Sequence, residues 1–559
     1  MNAAIIFGLL IALMLTGMPI SISLGLTVLT FLFTMTQVPL ESVALKLFTG
    51  IEKFEIMAIP FFILAGNFLT HGGVARRMIN FATAMVGHWH GGLGLAGVLA
   101  CALFAAVSGS SPATVVAIGG ILLPAMVKAG FPKRFGAGII TTSGALGILI
   151  PPSIVMVMYS VATNTSVGAL FMAGVVPGIL LATLMGAVTW YLAWKNGYPS
   201  ASLFPGRSGG QSTVAGFFGF FYALTFSVFP PYLIGKLLSF YLANSGFAYF
   251  LGGLAWLVLV PWTTRNKWVT RIIYIAIIVV GMPLFATLMA SKYLPDSTAG
   301  LTASFLALSG VWLAIISVCG RYTDISPTFK FELAWEALVV WRAYWDSIWG
   351  LMLIIVVMGG IYSGIFTPTE AAAMSAVYAF FVAVFIYKDL KLKDVAQVLL
   401  SSANMSAMLL YIITNAVLFS FIMTNEQIPQ ILAEWMLGRG LGIITFLLAV
   451  NVLLLLAGNV MEPSSIVLIM APILFPIAMK LGIDPVHLGI LIVVNMEVGM
   501  CHPPVGLNLY VASGITKMGI TELTVAVWPW LLAMIGFLLM VTYIPSLSLW
   551  LPRVFGLVK

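Results

Sequence analysis

The chain of 559 residues is 61% hydrophobic, only 8% of its residues are charged, and its mean hydropathy is +1.11. Soluble domains carry about 25% charged residues, so this composition excludes a soluble globular protein and predicts a chain embedded in a lipid bilayer. The formal net charge of +8 comes from Lys and Arg residues scattered between apolar runs. That distribution is typical of membrane topology and not of binding to nucleic acid.

Apolar runs follow one another along the chain, and many approach the ~20 residues that a membrane helix needs. The runs are continuous and do not alternate with polar residues, which predicts an all-α polytopic membrane protein and not a β-barrel. The first run has no charged n-region or cleavage site and is interpreted as a retained helix. The three cysteines are far apart, and the sequence has no metal-ligand spacing and no nucleophile–base set. It therefore predicts neither an enzyme nor a cofactor.

Residues 1–205 are predicted to form the first of two repeats. Within them, a hairpin at 91–126 has two short apolar pieces that meet at the polar sequence SGSSPAT. A hairpin that enters the bilayer without crossing it is tolerated only where its tip is buried in protein or lines a wet cavity. A broken helix at 135–162 follows, interrupted between Gly147 and Pro152.

Residues 206–330 have no counterpart elsewhere in the chain. This block contains four apolar runs and no Pro-Pro break. Because four is an even number, the block leaves the orientation of the second repeat unchanged. We interpret it as a four-helix membrane insertion that serves as scaffold.

Residues 331–559 are predicted to form the second repeat, with a hairpin at 440–479 that meets at GNVMEPSS and a broken helix at 487–513. A Pro-Pro pair follows Gly147 by four residues, and another follows Gly499, 352 positions later, by the same interval. Loops that are basic in the first repeat have less basic counterparts in the second, which indicates opposite sides of the membrane. Matching breaks in two inverted repeats mark the midplane binding site of a secondary transporter.

Several motifs extend the pattern in a fixed order: AIPFFILAGN, SGSSPATVVAIGGILLPAM, the first Pro-Pro break, GGIYSGIFTPTEAAA, MEPSS and PPVGLNLYV. In these segments the chain resembles the large membrane subunit of tripartite ATP-independent periplasmic (TRAP) transporters, of the DctM type. The resemblance covers nearly all of the chain outside the block 206–330, which departs from the family pattern.

The resemblance implies an elevator-type secondary transporter of the bacterial inner membrane, with two re-entrant hairpins and two broken helices. It implies coupling to Na⁺, a periplasmic substrate-binding protein, a small four-helix membrane subunit and organic-acid cargo such as C4-dicarboxylates. The block 206–330 equals that small subunit in helix number and either replaces it or is a scaffold extension. The alternatives are a binding-protein-independent, ion-coupled carboxylate transporter of similar fold, and a channel.

Breaking a helix frees carbonyl groups that can bind a cation, while the N-termini of half-helices favour an anion. Two sodium sites are therefore expected, one at each hairpin tip, with the substrate between the tips. The expected sodium-binding residues are Ser108, Gly109, Ser143, Gly144, Gly147, Gly458, Ser465, Glu497 and Gly499. The expected substrate-binding residues are Ser110, Ser111, Thr114, Ser153, Asn459, Ser464 and Asn508. The alternative is that these small residues only allow tight helix packing.

Ionisable residues inside the second repeat are further candidates. Glu497 aligns with Ala145, so the site is not symmetric in charge. Glu497 either neutralises Na⁺ or carries a proton, or it pairs with a backbone amide or with nearby Asn495. His502 either makes transport sensitive to pH or is a hydrogen-bonded lining residue. Glu370 follows the N-cap candidate Thr367, which indicates a structural role at a helix start.

Overall fold

The computed structural model describes residues 2–198 and 327–558, apart from 37–38, 88, 439–441, 460 and 504–505. Two compact units are found, one formed by Met1–Ser212 and Trp345–Lys559, the other by Thr213–Tyr344. The prediction for the block 206–330 lies outside the described residues, except for the helical residues 327–330. Both predicted hairpins and both predicted broken helices lie in the first unit.

Every regular element in the described ranges is helical, which confirms the all-α prediction. Eight helical segments there are long and apolar enough to cross a membrane. The α-helices of the first half are α1 (Asn2–Leu15), α2 (Ile20–Met35), α3 (Leu40–Ile51), α4 (Ala58–His71), α5 (Val74–Val86), α6 (Gly92–Ser108), α7 (Ser111–Lys128), α8 (Lys133–Ser143), α9 (Ile154–Thr163) and α10 (Val167–Lys195).

The second half follows the same order of long helices, hairpin and broken helix. Its α-helices are α11 (Pro327–Tyr362), α12 (Pro368–Phe381), α13 (Leu392–Asn425), α14 (Ile428–Gly438), α15 (Ile443–Gly458), α16 (Pro463–Lys480), α17 (Pro485–Cys501), α18 (Leu507–Thr516), α19 (Ile520–Tyr543) and α20 (Ser546–Val554). Short 3₁₀ turns occur at Phe54–Met57 and Gly144–Ile148.

Local sequence signals explain where several helices begin. The Thr367 hydroxyl accepts a hydrogen bond from the Glu370 amide at 3.3 Å, and the Glu370 carboxylate accepts one from the Thr367 amide at 2.8 Å. This reciprocal capping box starts α12 and confirms the structural role predicted for Glu370. Asp484 caps α17 by accepting hydrogen bonds from two amides of its first turn.

The helices pack as two groups. The outer group consists of α1–α4, α12 and α13, in which α12 packs on α4, and α13 packs on α2, α3 and α4. The inner group consists of α6–α10 and α15–α20, in which helices of the two halves interleave: α8 packs on α19, α9 on α16, and α7 on α18. Helices α5 and α14 lead from the outer group to the inner group in each half. The hairpins and broken helices therefore all belong to the inner group.

Candidate functional site

The first hairpin tip, residues 108–111, lies directly against the first helix break, residues 144–153. Helix α6 ends at Ser108, and Gly109 turns the chain with a φ of +60° before α7 begins. A Cβ added at Gly147 would lie 2.7 Å from the carbonyl carbon and oxygen of Ser110 and 2.8 Å from the Ser111 amide nitrogen. Only glycine allows the break to approach the tip this closely.

Hydroxyl groups of the first tip stabilise its turn. The Thr114 hydroxyl donates to the Ser110 carbonyl at 2.9 Å and lies 3.0 Å from the Ser108 hydroxyl. Across the break, the Ser153 hydroxyl donates to the Ile148 carbonyl at 2.6 Å and caps the start of α9. Thr114 and Ser153 are fully buried, whereas Ser110 is partly exposed.

The second tip, residues 458–465, makes the equivalent backbone contact with α17. A Cβ added at Gly458 would lie 3.1 Å from the Cα of Gly499, and one added at Gly499 would lie 3.1 Å from the Cα of Gly458. Gly499 thus has the same packing role as Gly147. At this tip the Ser465 hydroxyl lies 3.5 Å from the Glu462 carboxylate, and Ser464 is buried beside it.

Two buried side-chain oxygens at equivalent positions have no hydrogen-bond partner among the described residues. They are Ser143 Oγ and Asn495 Oδ1, which are 352 positions apart, like Gly147 and Gly499. Each residue precedes its glycine by four positions. In the continuous helix α17 this spacing places Asn495 on the Gly499 face, one turn away, whereas Ser143 ends α8 next to the 3₁₀ turn that contains Gly147. Asn495 Nδ2 donates to the carbonyl and to Oδ1 of Asn451, both at 3.0 Å, which leaves only its oxygen unpartnered.

The Glu497 carboxyl is fully buried, and neither of its oxygens has a hydrogen-bond partner among the described residues. Two helix positions correspond to about 200° of rotation, so Glu497 lies on the opposite face of α17 from Gly499 and the second tip. Cys501, one turn further on the Glu497 face, donates to the Thr141 carbonyl of α8. The structure therefore places Glu497 towards the first broken helix and away from the other predicted residues of the second sodium site. It does not pair with Asn495.

The two halves meet at the site through polar contacts. The Asn508 amide, fully buried at the start of α18, donates to the Ser111 hydroxyl at 2.7 Å and to the Thr141 carbonyl at 3.3 Å. The Tyr159 hydroxyl donates to the Pro485 carbonyl at 2.8 Å. Since Thr141 lies near the end of α17 and Tyr159 near its start, the two broken helices run in opposite directions, as inverted repeats require.

The structure thus brings together most of the residues that the sequence predicts for the site. At or beside the first tip lie Ser108, Gly109, Ser110, Ser111, Thr114, Ser143, Gly144, Gly147 and Ser153. At the second tip lie Gly458, Asn459, Ser464, Ser465 and Gly499. Asn508 joins the first tip to the second break. Their roles in binding stay predictions.

Sequence reasoning missed Asn495 as a candidate and assigned it only as a partner for Glu497. The signal that finds it is the offset of 352, which maps Ser143 onto it. Lys53 was also missed: its ammonium group donates to the Val161 carbonyl and to Asn164 Oδ1 at the end of α9. No local motif marks this contact, because Val161 lies 108 positions after Lys53 in the chain.

A helical protein with several membrane spans, whose two halves meet at paired helix breaks, has the architecture of many secondary transporters. The model of the DctM component of tripartite ATP-independent periplasmic transporters matches residues 7–249 and 269–547. The chain belongs to this family and is a multi-pass protein of the inner membrane.

Individual relatives align along the whole chain. The C4-dicarboxylate TRAP transporter large permease DctM of Rhodobacter capsulatus is 59% identical over 100% of both chains. Its namesake in Pseudomonas aeruginosa is 41% identical over 96% of this chain and 95% of the other. The isethionate TRAP transporter permease DctMQ of Oleidesulfovibrio alaskensis is 32% identical over 98% of this chain and 65% of its own length. The alignment with the first of these includes the block 206–330, so that relative has this block as well.

Proposed function

We propose that this chain is the membrane permease of a sodium-coupled transporter that imports C4-dicarboxylates delivered by a periplasmic substrate-binding protein. Membership of the DctM family supports the transporter class and the binding-protein partner. The names of two relatives that are 59% and 41% identical along nearly their whole length support the substrate class.

The equivalent unpartnered oxygens of Ser143 and Asn495 are the observation that carries sodium coupling. A buried polar atom without a partner costs about 1–3 kcal/mol, and two such atoms at symmetric positions indicate a function they share. Na⁺ is a hard cation that prefers oxygen ligands, and carbonyl groups freed at the helix breaks would complete each ligand set. We infer one Na⁺ at each tip, near Gly147 and near Gly499.

The substrate would bind between the tips as a dianion. Helices α7, α16 and α18 all begin at a tip or a break, and the N-terminus of a helix carries a partial positive charge. Bound Na⁺ would add positive charge at the same place. Sodium and dicarboxylate would therefore each raise the affinity for the other, which is the thermodynamic basis of coupling.

The inner group would then move across the membrane against the outer group. All of the hairpin and break residues proposed for binding belong to the inner group, so a rigid-body movement would carry the site intact. Alternating access in transporters with inverted repeats is largely of this kind.

The experiment is uptake of labelled succinate by proteoliposomes that contain the transporter, with its binding protein outside, in an inward Na⁺ gradient or with choline replacing Na⁺. Uptake should require Na⁺, and Ser143→Ala should raise the Na⁺ concentration needed for half-maximal uptake several-fold.

The matched control is Thr142→Val, on the same helix, because the Thr142 hydroxyl is already satisfied by the Gly138 carbonyl at 2.8 Å. Its Na⁺ dependence should equal that of the unaltered protein. Equal uptake in choline would refute sodium coupling. Uptake without the binding protein would instead favour the binding-protein-independent alternative, and uptake that never concentrates succinate would favour a channel.

A further inference from the structure

The second break contains a basic side chain that the first break lacks. His502 directly follows α17, and the equivalent position in the first half is Ile150. In the two tips and the two breaks, the sequence contains no Lys or Arg, and His502 is the only basic residue. The two breaks therefore differ in that only the second contains a basic hydrogen-bonding side chain.

The Asn459 side chain selects the tautomer of the His502 ring. The Asn459 amide group lies 3.0 Å from His502 Nδ1. The same end of the amide lies 3.1 Å from the His502 carbonyl and 3.3 Å from the Pro503 carbonyl, both of which can only accept hydrogen bonds. The amide nitrogen must therefore face these three atoms, and it donates to Nδ1. The proton of a neutral imidazole is then on Nε2.

Nε2 is the free donor of this arrangement. Of the two ring nitrogens of His502, only Nδ1 has a hydrogen-bond partner among the described residues. The residue is partly exposed. Asn459 is buried and is the C-cap of α15 at the second tip. The ring is thus held from one side, and its N–H group remains available on the other.

We propose that the His502 Nε2–H group binds one carboxylate of the transported dicarboxylate, with Asn459 as the positioning residue that holds the ring in the required tautomer. This inference rests on the proposed function, because it names a residue of the same substrate site. A hydrogen bond to an ionised carboxylate is stronger than one between neutral groups. The other carboxylate would meet the hydroxyl and amide groups of the first tip, so the two ends of the substrate are recognised by different chemistry.

The variants His502→Ala and His502→Gln test this assignment in the proteoliposome assay, with succinate and its monoamide as substrates. Loss of the donor should raise the KM for succinate at least about tenfold and change kcat less. It should also reduce the preference for succinate over the monoamide. The Gln variant should recover most of the affinity for succinate and most of the preference over the monoamide, because its amide N–H reaches roughly the position of Nε2.

The matched control is His71→Ala, which removes a histidine at the exposed end of α4 whose Nδ1 lies near a carbonyl of its own helix. Its KM should be unchanged.

The outcomes separate the two claims. If the unaltered protein shows no sodium-dependent succinate uptake, the proposed function fails. If that uptake is present but His502→Ala keeps the original KM and selectivity, or His502→Gln loses them as fully as His502→Ala does, only the assignment of His502 is overturned.

Discussion

Polar side chains around the two tips differ in whether the protein already satisfies them. Asn508 and Ser111 are fully buried and hydrogen-bonded to each other, and Asn508 also bonds the Thr141 carbonyl. Ser143 and Asn495 are equally buried but each keeps one oxygen without a described partner. Satisfied groups of this kind stabilise the fold, whereas unsatisfied ones are expected at binding sites.

Asn508→Ala should therefore destabilise the protein. The change leaves the Ser111 hydroxyl without its side-chain partner and removes one of the two side-chain donors to the Thr141 carbonyl, at a cost of about 1–3 kcal/mol. Thermal unfolding of the detergent-solubilised protein measures the effect as a lower midpoint. The control is Asn196→Ala at the exposed end of α10. Its side-chain amide donates a hydrogen bond to the Leu192 carbonyl, and loss of this exposed bond should change the unfolding midpoint little. Equal midpoints for the two variants would contradict the structural role of Asn508.

Close backbone contact determines how the helical elements fit around the site. Gly147 packs on the turn at Ser110, and Gly499 packs on Gly458, so each broken helix touches the tip of the hairpin in its own repeat. The same glycine at equivalent positions explains why the break motifs repeat in the sequence. The rest of each break is free to differ, as Ile150 and His502 do.

Gly147→Ala should separate the first tip from the first break. The new Cβ would clash with main-chain atoms, which cannot move aside as a flexible side chain does, and overpacking of this kind costs about 1–3 kcal/mol. We expect a lower unfolding midpoint and a large loss of succinate uptake.

The matched control is Gly120→Ala on α7. A Cβ there meets nothing within 4 Å, and alanine favours a helix interior over glycine by about 1 kcal/mol. Its midpoint should stay the same or rise, and uptake should persist. Normal uptake by the Gly147 variant would show that close contact at this tip is dispensable.

At the scale of the whole unit, Lys53 connects the two helix groups. It lies between α3 and the 3₁₀ turn before α4, on the outer group, and donates to Val161 and Asn164 at the C-terminus of α9, in the inner group. A cation at the C-terminal end of a helix is favourable because the helix dipole is negative there. Burial lowers the pKa of the Lys53 ammonium group, while Glu55 acts in the opposite direction.

A tether across this contact tests whether the groups move. Lys53→Cys and Asn164→Cys, joined by a short bifunctional maleimide on a background without other reactive cysteines, should stop uptake if the inner group must slide past the outer one. Cross-linked and uncross-linked samples of the same variant are compared in the proteoliposome assay.

The control tether lies within the inner group. Arg134 on α8 and Glu522 on α19 form an exposed ion pair at 2.8 Å, and both helices belong to that group. Cysteines at these two positions, joined in the same way, should leave uptake largely intact. Full uptake with the tether between residues 53 and 164 would exclude relative movement at this contact.

The sequence by itself determined the membrane class and the helical architecture, and it marked where helices are interrupted. Each of these depends on local composition: runs of apolar residues specify helices in lipid, and Gly, Pro and Ser mark where a helix must stop. The offset of 352 also predicted that Gly147 and Gly499 have equivalent positions, and in both repeats that glycine lies in close contact with the backbone of the hairpin tip.

Only the tertiary structure decided which way the side chains at those breaks face. Glu497 and Asn495 are two residues apart, yet they lie on opposite faces of α17, and one faces the first broken helix while the other faces α15. Likewise, the contacts of His502 with Asn459 and of Lys53 with α9 join segments that are far apart in the chain. Such pairings depend on how separate helices rotate and pack against each other, and no local pattern of residues specifies that.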